Sequence, residues 1–265
     1  MVLKHLAKMY FKPAGLLRYA PYLLILPIIV FHALSLTGCV STSPAIPNIY
    51  VVSLRANNNA TDTPLQVRIG YFGICGIDED GTRCQAATGR SVETLAANLF
   101  PDLQQGTNNT SSNTTTTPAT NSEITDLITT ALDLQSRTFI SVLAGAAVLF
   151  VLGAAALFLF KRDVRSANSW EHPRRSTVIR RVTYGLLFGS TALVFAAALA
   201  TSQSAGALEY ASEGMSHASV LIHAGTTLQV LQWIAFGFEV LFALAVPFLV
   251  RYKAVAGEEE GKVEA

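Results

Sequence analysis

The chain has 265 residues, of which 51% are hydrophobic and only 14% charged, with a formal net charge of +1. Its basic residues hug apolar stretches rather than forming a folded basic domain, which excludes a nucleic-acid-binding module. No phosphate-cradling loop, nucleophile with its base, or paired-carboxylate site is present, so the sequence does not read as an enzyme.

Four apolar stretches stand out, 19–38, 139–160, 182–201 and 228–250. Each has about 20 residues, enough to cross the roughly 30 Å hydrocarbon layer as a helix. Lipid offers no partner for backbone N–H and C=O groups, so each stretch is predicted to be helical. Lys4, Lys8, Lys12 and Arg18 precede the first stretch. Lys161, Arg162, Arg165, Arg174, Arg175, Arg180 and Arg181 crowd the second connection, whereas 202–227 has no Lys or Arg. Arg251 and Lys253 follow the last stretch. The positive-inside tendency then makes 1–18, 161–181 and 251–265 cytoplasmic, and 39–138 and 202–227 external. The same tendency accounts for the basic middle connection without a lipid-binding role. The acidic run Glu258–Glu260 reads as a solvated end.

The first stretch has a second reading. A basic start, an apolar run and Leu36-Thr37-Gly38-Cys39 also fit a cleaved signal or a bacterial lipoprotein signal. The long basic lead favours a retained span, and Pro27 is tolerated within a membrane helix.

Within the first external connection, Asn48–Leu54 is rich in β-branched and aromatic residues, and Leu65–Tyr71 alternates apolar with polar; both read as strands. Asn57–Thr63 is turn material, and Asp80-Gly81 signals a hairpin. Val92, Leu95, Ala96, Leu99 and Phe100 follow helical spacing, with Leu103 extending the stripe and Pro101 ending or bending it. Thr107–Ser122, almost wholly Thr, Ser and Asn, is expected to be a disordered, glycosylated insert. Ile124, Leu127, Ile128, Ala131 and Leu132 predict an amphipathic helix running on into the second span. Asn59, Asn108, Asn109 and Asn113 each open an Asn-x-Ser/Thr sequon, all on the external side, which suggests a eukaryotic secretory-pathway protein at the plasma membrane.

Cys75 and Cys84 flank the Asp80-Gly81 turn in an oxidising compartment and are expected to form a disulfide. A metal site is disfavoured, since no second ligand pair accompanies them. Cys39 is left over at the outer end of the first span, either as a small apolar residue or as one half of an intermolecular bridge.

These residues carry a resemblance. Gly70, Tyr71, Phe72, Gly73, Cys75 and Cys84 resemble the claudin superfamily signature of Gly-Leu-Trp, two residues, Cys, eight to ten residues, Cys. Phe72 stands in the tryptophan's place, keeping an aromatic anchor without the indole N–H. The resemblance implies a membrane α-helical fold, a four-transmembrane-helix bundle carrying a small extracellular antiparallel β-sheet, with the motif pinning sheet to bundle. Leu36–Cys39, Asn48–Leu54 and Gly70–Cys75 look most like the fungal mating-factor-induced family. That resemblance implies a regulator of low-affinity calcium influx and of membrane fusion during mating, with no enzymatic activity and no cofactor. A non-conducting organiser of membrane patches or adhesion is the alternative, as in the fungal cortical-patch proteins that share the motif. The implied partners are the lipid bilayer, calcium ions, and the protein itself or other membrane proteins laterally.

Glu239 falls near the middle of the last stretch, where an ionisable group costs at least about 2.5–3.5 kcal/mol and needs a partner. Ser190 and Thr191 lie at matching depth. Glu239 reads either as a protonated acid hydrogen-bonded between helices or as a cation or proton site. Asp78, Glu79 and Asp80 read as a solvated turn or as a cation-attracting tip, with Glu209 and Glu213 adding negative charge on the same side. His217 and His223 are six apart and would diverge on a helix, so they read as surface residues rather than ligands. Gly145, Gly153, Gly185 and Gly189 suggest close helix packing.

Overall fold

A computed structural model of the chain describes residues 13–56, 65–79, 81–101, 119–138, 140–165, 173–214 and 220–263. They fall into two compact units. One lies within Met1–Phe31, Gly145–Phe195 and Ile234–Ala265, the other within His32–Ala144 and Ala196–Trp233.

The second unit is built on an antiparallel sheet. Its strands are β1 (Val52–Ala56), β2 (Gln66–Ile69), β3 (Gly73–Asp78), β4 (Gly81–Ala86) and β5 (Val220–Ala224), in the spatial order β4-β3-β2-β1-β5. The register pairs Leu54 with Val67 and Ile222, and Ile69 with Ile74. Consecutive strands therefore neighbour one another, and β5 arrives from the distant 202–227 connection. The expected strands are shorter than their composition suggests. Ile46–Asn48 is a 3-10 turn before β1, because Pro47 suits a helical first turn. β2 stops at Ile69, and Tyr71-Phe72 forms the tight link to β3, closed by Gly70 N–H donating to Gly73 O at 2.8 Å.

Two helices cover the apolar side of this sheet. Helix α2 (Val92–Leu99) starts at Ser91, whose Oγ accepts from Thr94 N, and buries Leu95, Ala96 and Leu99. Helix α3 (Ala119–Thr138) buries Ile124, Leu127, Ile128 and Ala131, the expected stripe. It begins inside the polar segment expected to be an insert, so Ala119–Ser122 are helical; 107–118 lie outside the described residues. These side chains join Val52, Leu54, Val67, Ile69 and Ile74 in one core.

The other unit is helical. Helices α1 (Pro13–Thr37), α4 (Ile140–Arg165), α5 (Pro173–Gly214) and α6 (Thr226–Val263) all contribute to it. Ile28, Phe150, Leu157, Leu187, Phe242 and Val246 cluster at its centre, one or more from each helix. Phe150 meets Phe242 edge-on and Phe31 stacks on Phe238, each pair with centroids 5.7 Å apart. Three helical stretches, Val142–Arg162, Thr177–Ser212 and Thr226–Pro247, are long and apolar enough to cross a membrane; the described apolar part of α1, Pro21–Thr37, is shorter. Leu26, Val148, Phe158, Phe188 and Leu241 point outward, as lipid-facing side chains do. Close packing does not explain every glycine: a Cβ on Gly145 or Gly185 would meet nothing, whereas one on Gly153 would press on Leu187.

Candidate functional site

The motif Gly70–Gly73 is held by its backbone as much as by its side chains. A Cβ on Gly70 would collide with the carbonyl of Gly38, and one on Gly73 with the carbonyl of Cys39, so both positions need glycine for close approach. Gln135 of α3 donates from Nε2 to Gly70 O at 3.1 Å and Tyr71 O at 2.9 Å. Cys75 and Cys84 face each other on β3 and β4 and are bonded.

The anchor of the motif is Tyr71, not Phe72. Tyr71 is fully buried, whereas Phe72 is partly buried against the same core. Gln232 Nε2 donates to Tyr71 Oη at 2.6 Å, and Tyr71 Oη lies 3.1 Å from Thr201 Oγ1. Thr201 donates its own proton to Ala197 O at 2.8 Å, so Tyr71 donates to Thr201. The chain of bonds runs Gln232 to Tyr71 to Thr201 to Ala197, linking the sheet's turn to α5 and α6. Burial pushes the Tyr71 hydroxyl above its ordinary pKa, with the bonds to Thr201 and Gln232 pulling partly back. Among the described residues, Gln232 Oε1 is buried with no hydrogen-bond partner.

Sequence reasoning missed Gln135, Thr201 and Gln232, although a signal existed. Gln135 lies four residues after Ala131 on the apolar stripe of α3. Gln232 and Glu239 share one buried face of α6 with Leu228, Ala235, Phe242 and Val246. A polar residue at an apolar period is the mark of a buried partner.

Glu239 is buried in the helical unit. Ser190 Oγ of α5 lies 3.2 Å and 3.4 Å from its two carboxyl oxygens and 2.9 Å from Ala146 O of α4. Three helices thus meet at one hydroxyl. A serine has one proton to donate, and the shortest contact directs it to Ala146 O. Thr191 does not join: its hydroxyl donates to Leu187 O within its own helix.

The remaining candidates are dispersed. Asp78 Oδ1 accepts from Gly81 N at 2.9 Å, so this carboxylate serves the turn; Gly81 itself has φ 141. Asp80, Asn59, Asn108, Asn109, Asn113 and His217 lie outside the described residues. His223 is on β5, not a helix, and its Nδ1 lies 3.4 Å from Glu209 Oε1. Cys39 is buried against the carbonyls of Ile49 and Pro47, which leaves no accessible sulfur for an intermolecular bridge. Burial pushes its thiol up to about 12, and nearby Arg68 lowers it only partly. Among the described residues no three His, Cys, Asp or Glu side chains are grouped to hold a metal.

Residues 51–252 match the profile of the family described as Ca2+ regulator and membrane fusion protein Fig1. The chain belongs to the Fig1 family. No curated protein matches it. The Fig1 match spans the whole sheet, the disulfide, Tyr71 with Thr201 and Gln232, and the Ser190–Glu239 contact. It begins after Gly38 and Cys39, whose backbone receives the two motif glycines. As a member of a calcium-regulating and fusion family with long apolar helices, the chain is a membrane protein, and the Fig1 family is not a known enzyme family.

Proposed function

We propose that this protein is a four-span plasma-membrane component that regulates low-affinity calcium influx and supports cell–cell membrane fusion during fungal mating or polarised growth. Both termini and 161–181 face the cytoplasm, and 39–138 and 202–227 face outside. The Lys and Arg distribution and the sequons support this orientation, as does a disulfide, which persists in an oxidising compartment. The first helix is retained and contributes Ile28 to the helical core.

The observation that carries the calcium reading is Glu239, a buried carboxyl met by a serine from a second helix and, through it, a carbonyl from a third. An intramembrane acid is costly and marks an ion or proton pathway by default. The test compares cytosolic calcium, read by a genetically encoded reporter, in mating cells with and without this gene across external calcium concentrations. Loss of a low-affinity influx on deletion supports the proposal. Unchanged calcium with disturbed fusion or membrane patches assigns the protein instead to the non-conducting organisers.

A further inference from the structure

The sheet ends in two outer strands, and they end differently. On β5, Ser212 of α5 accepts from the Ile222 N–H at 3.1 Å, while its own proton goes to Glu209 O at 2.9 Å. That edge is closed at its middle. On β4, Cys84 opposes Cys75 with Cα atoms 4.0 Å apart, the spacing of a non-hydrogen-bonded pair. The N–H and C=O of Cys84 therefore point away from β3, and by the period of two so do those of Thr82 and Ala86. Among the described residues, no hydrogen bond engages these groups.

Such a bare row is a template for another strand. The side chains of β4 add a second feature. Arg83 and Gln85 pair with Gly76 and Ile74, which belong to the buried side of the sheet, so the sheet's apolar face turns polar at its last strand. Gln85 Oε1 is buried there, and among the described residues it meets no hydrogen-bond partner.

We propose that the free edge of β4 binds β4 of a second copy of this chain, antiparallel and two-fold symmetric about Cys84. In that register Thr82 pairs with Ala86 of the second copy and Cys84 with its own counterpart, so each bare N–H gains a C=O. Arg83 stands opposite Gln85 of the second copy, twice, as a cross-strand pair on one face of the joined sheet. The antiparallel direction also brings the acidic end of one hairpin, Asp78 and Glu79, toward the end of β4 that leads to Arg90 in the other copy. This self-pairing of the bare groups, with the acidic end of one hairpin meeting the basic end of the other, selects a second copy over an unrelated partner. A C2 contact of this kind is self-complementary by construction.

The test is native mass spectrometry of the full-length, deglycosylated protein released from micelles, over a concentration series. The wild type is expected at twice the 28.4 kDa chain mass. Thr82→Pro removes an outward N–H without touching the ladder to β3, and should raise the concentration for half-association at least about ten-fold. Gln85→Arg sets like charges opposite each other and should act in the same direction. Adding Arg83→Glu to Gln85→Arg should restore association. Peptide mapping of the Cys75–Cys84 bond checks each variant's fold, and if Thr82→Pro does not fold, the charge-exchange pair decides alone. A monomeric wild type, or association indifferent to these substitutions, overturns the proposal.

Discussion

Tyr71 Oη lies 2.6 Å from Gln232 Nε2, which joins the tight turn of the sheet to α6 through one buried bond, while Thr201 on α5 receives the same hydroxyl's proton. Removing that hydroxyl leaves the Gln232 amide buried with neither end engaged by the turn. Tyr71→Phe should therefore destabilise the protein by about 1–3 kcal/mol, the cost of a stranded buried polar group. A thermal unfolding curve in detergent checks this, and a wild-type midpoint for Tyr71→Phe contradicts it.

The two motif glycines make a sharper contrast. Gly70→Ala drives a methyl into the backbone of Gly38, which cannot rotate away as a side chain would. A loss of about 1–3 kcal/mol is expected. Gly185→Ala, with open space around it, should lose nothing. The yield of folded, disulfide-bonded protein and its unfolding midpoint distinguish the pair.

Much of this arrangement was legible in the sequence. The apolar stretches announced helices, the Cys75–Cys84 spacing around Asp80-Gly81 announced a hairpin, and the stripe from Ile124 to Ala131 announced α3. What escaped was long-range. Val220–Ala224 is a short apolar run in a polar connection, and only pairing with β1 makes it a strand. Asn48–Leu54 has strand composition throughout, yet a 3-10 turn over Ile46–Asn48 takes its first residue and β1 starts only at Val52. The motif alignment points to Phe72 as the aromatic anchor, because it occupies the tryptophan's position. The structure uses Tyr71, because a buried hydroxyl can reach Thr201 and Gln232 and a phenyl ring cannot. Glu239 stood out by its depth alone, but Ser190 rather than Thr191 meets it, since helix phase turns Thr191 back on Leu187.

Alkaline pH should weaken the fold through two buried acids. Cys39 has its thiol raised from 9.0 to about 12, and Tyr71 is raised from 10.0. Each stays neutral in the native state while the unfolded chain deprotonates, so the unfolded state loses protons first. Their contribution is complete below the unfolded values and declines as pH rises from about 9 toward 12. Unfolding midpoints measured from pH 8 to 11 should fall. Across the lower part of that range, Cys39 should also resist alkylation in the native protein and react once it is denatured.

The acidic hairpin tip is proposed to concentrate cations outside the membrane. Neutralising Asp78, Glu79 and Asp80 together should weaken the dependence of influx on external calcium. Because Asp78 also receives the Gly81 N–H, the substitution should be to Asn at 78, which keeps an acceptor. Calcium dependence that stays as it was assigns these residues to the turn alone.

The most direct measurement is calcium influx in mating cells whose only copy of this protein carries Glu239→Gln, at surface amounts matched to wild type. Gln keeps the shape and an oxygen that can accept from Ser190 Oγ, so surface expression should be unchanged. It cannot bind a cation as a carboxylate, so low-affinity influx should fall toward the level of cells lacking the gene. Influx at the wild-type level would remove Glu239 from the mechanism and contradict the account.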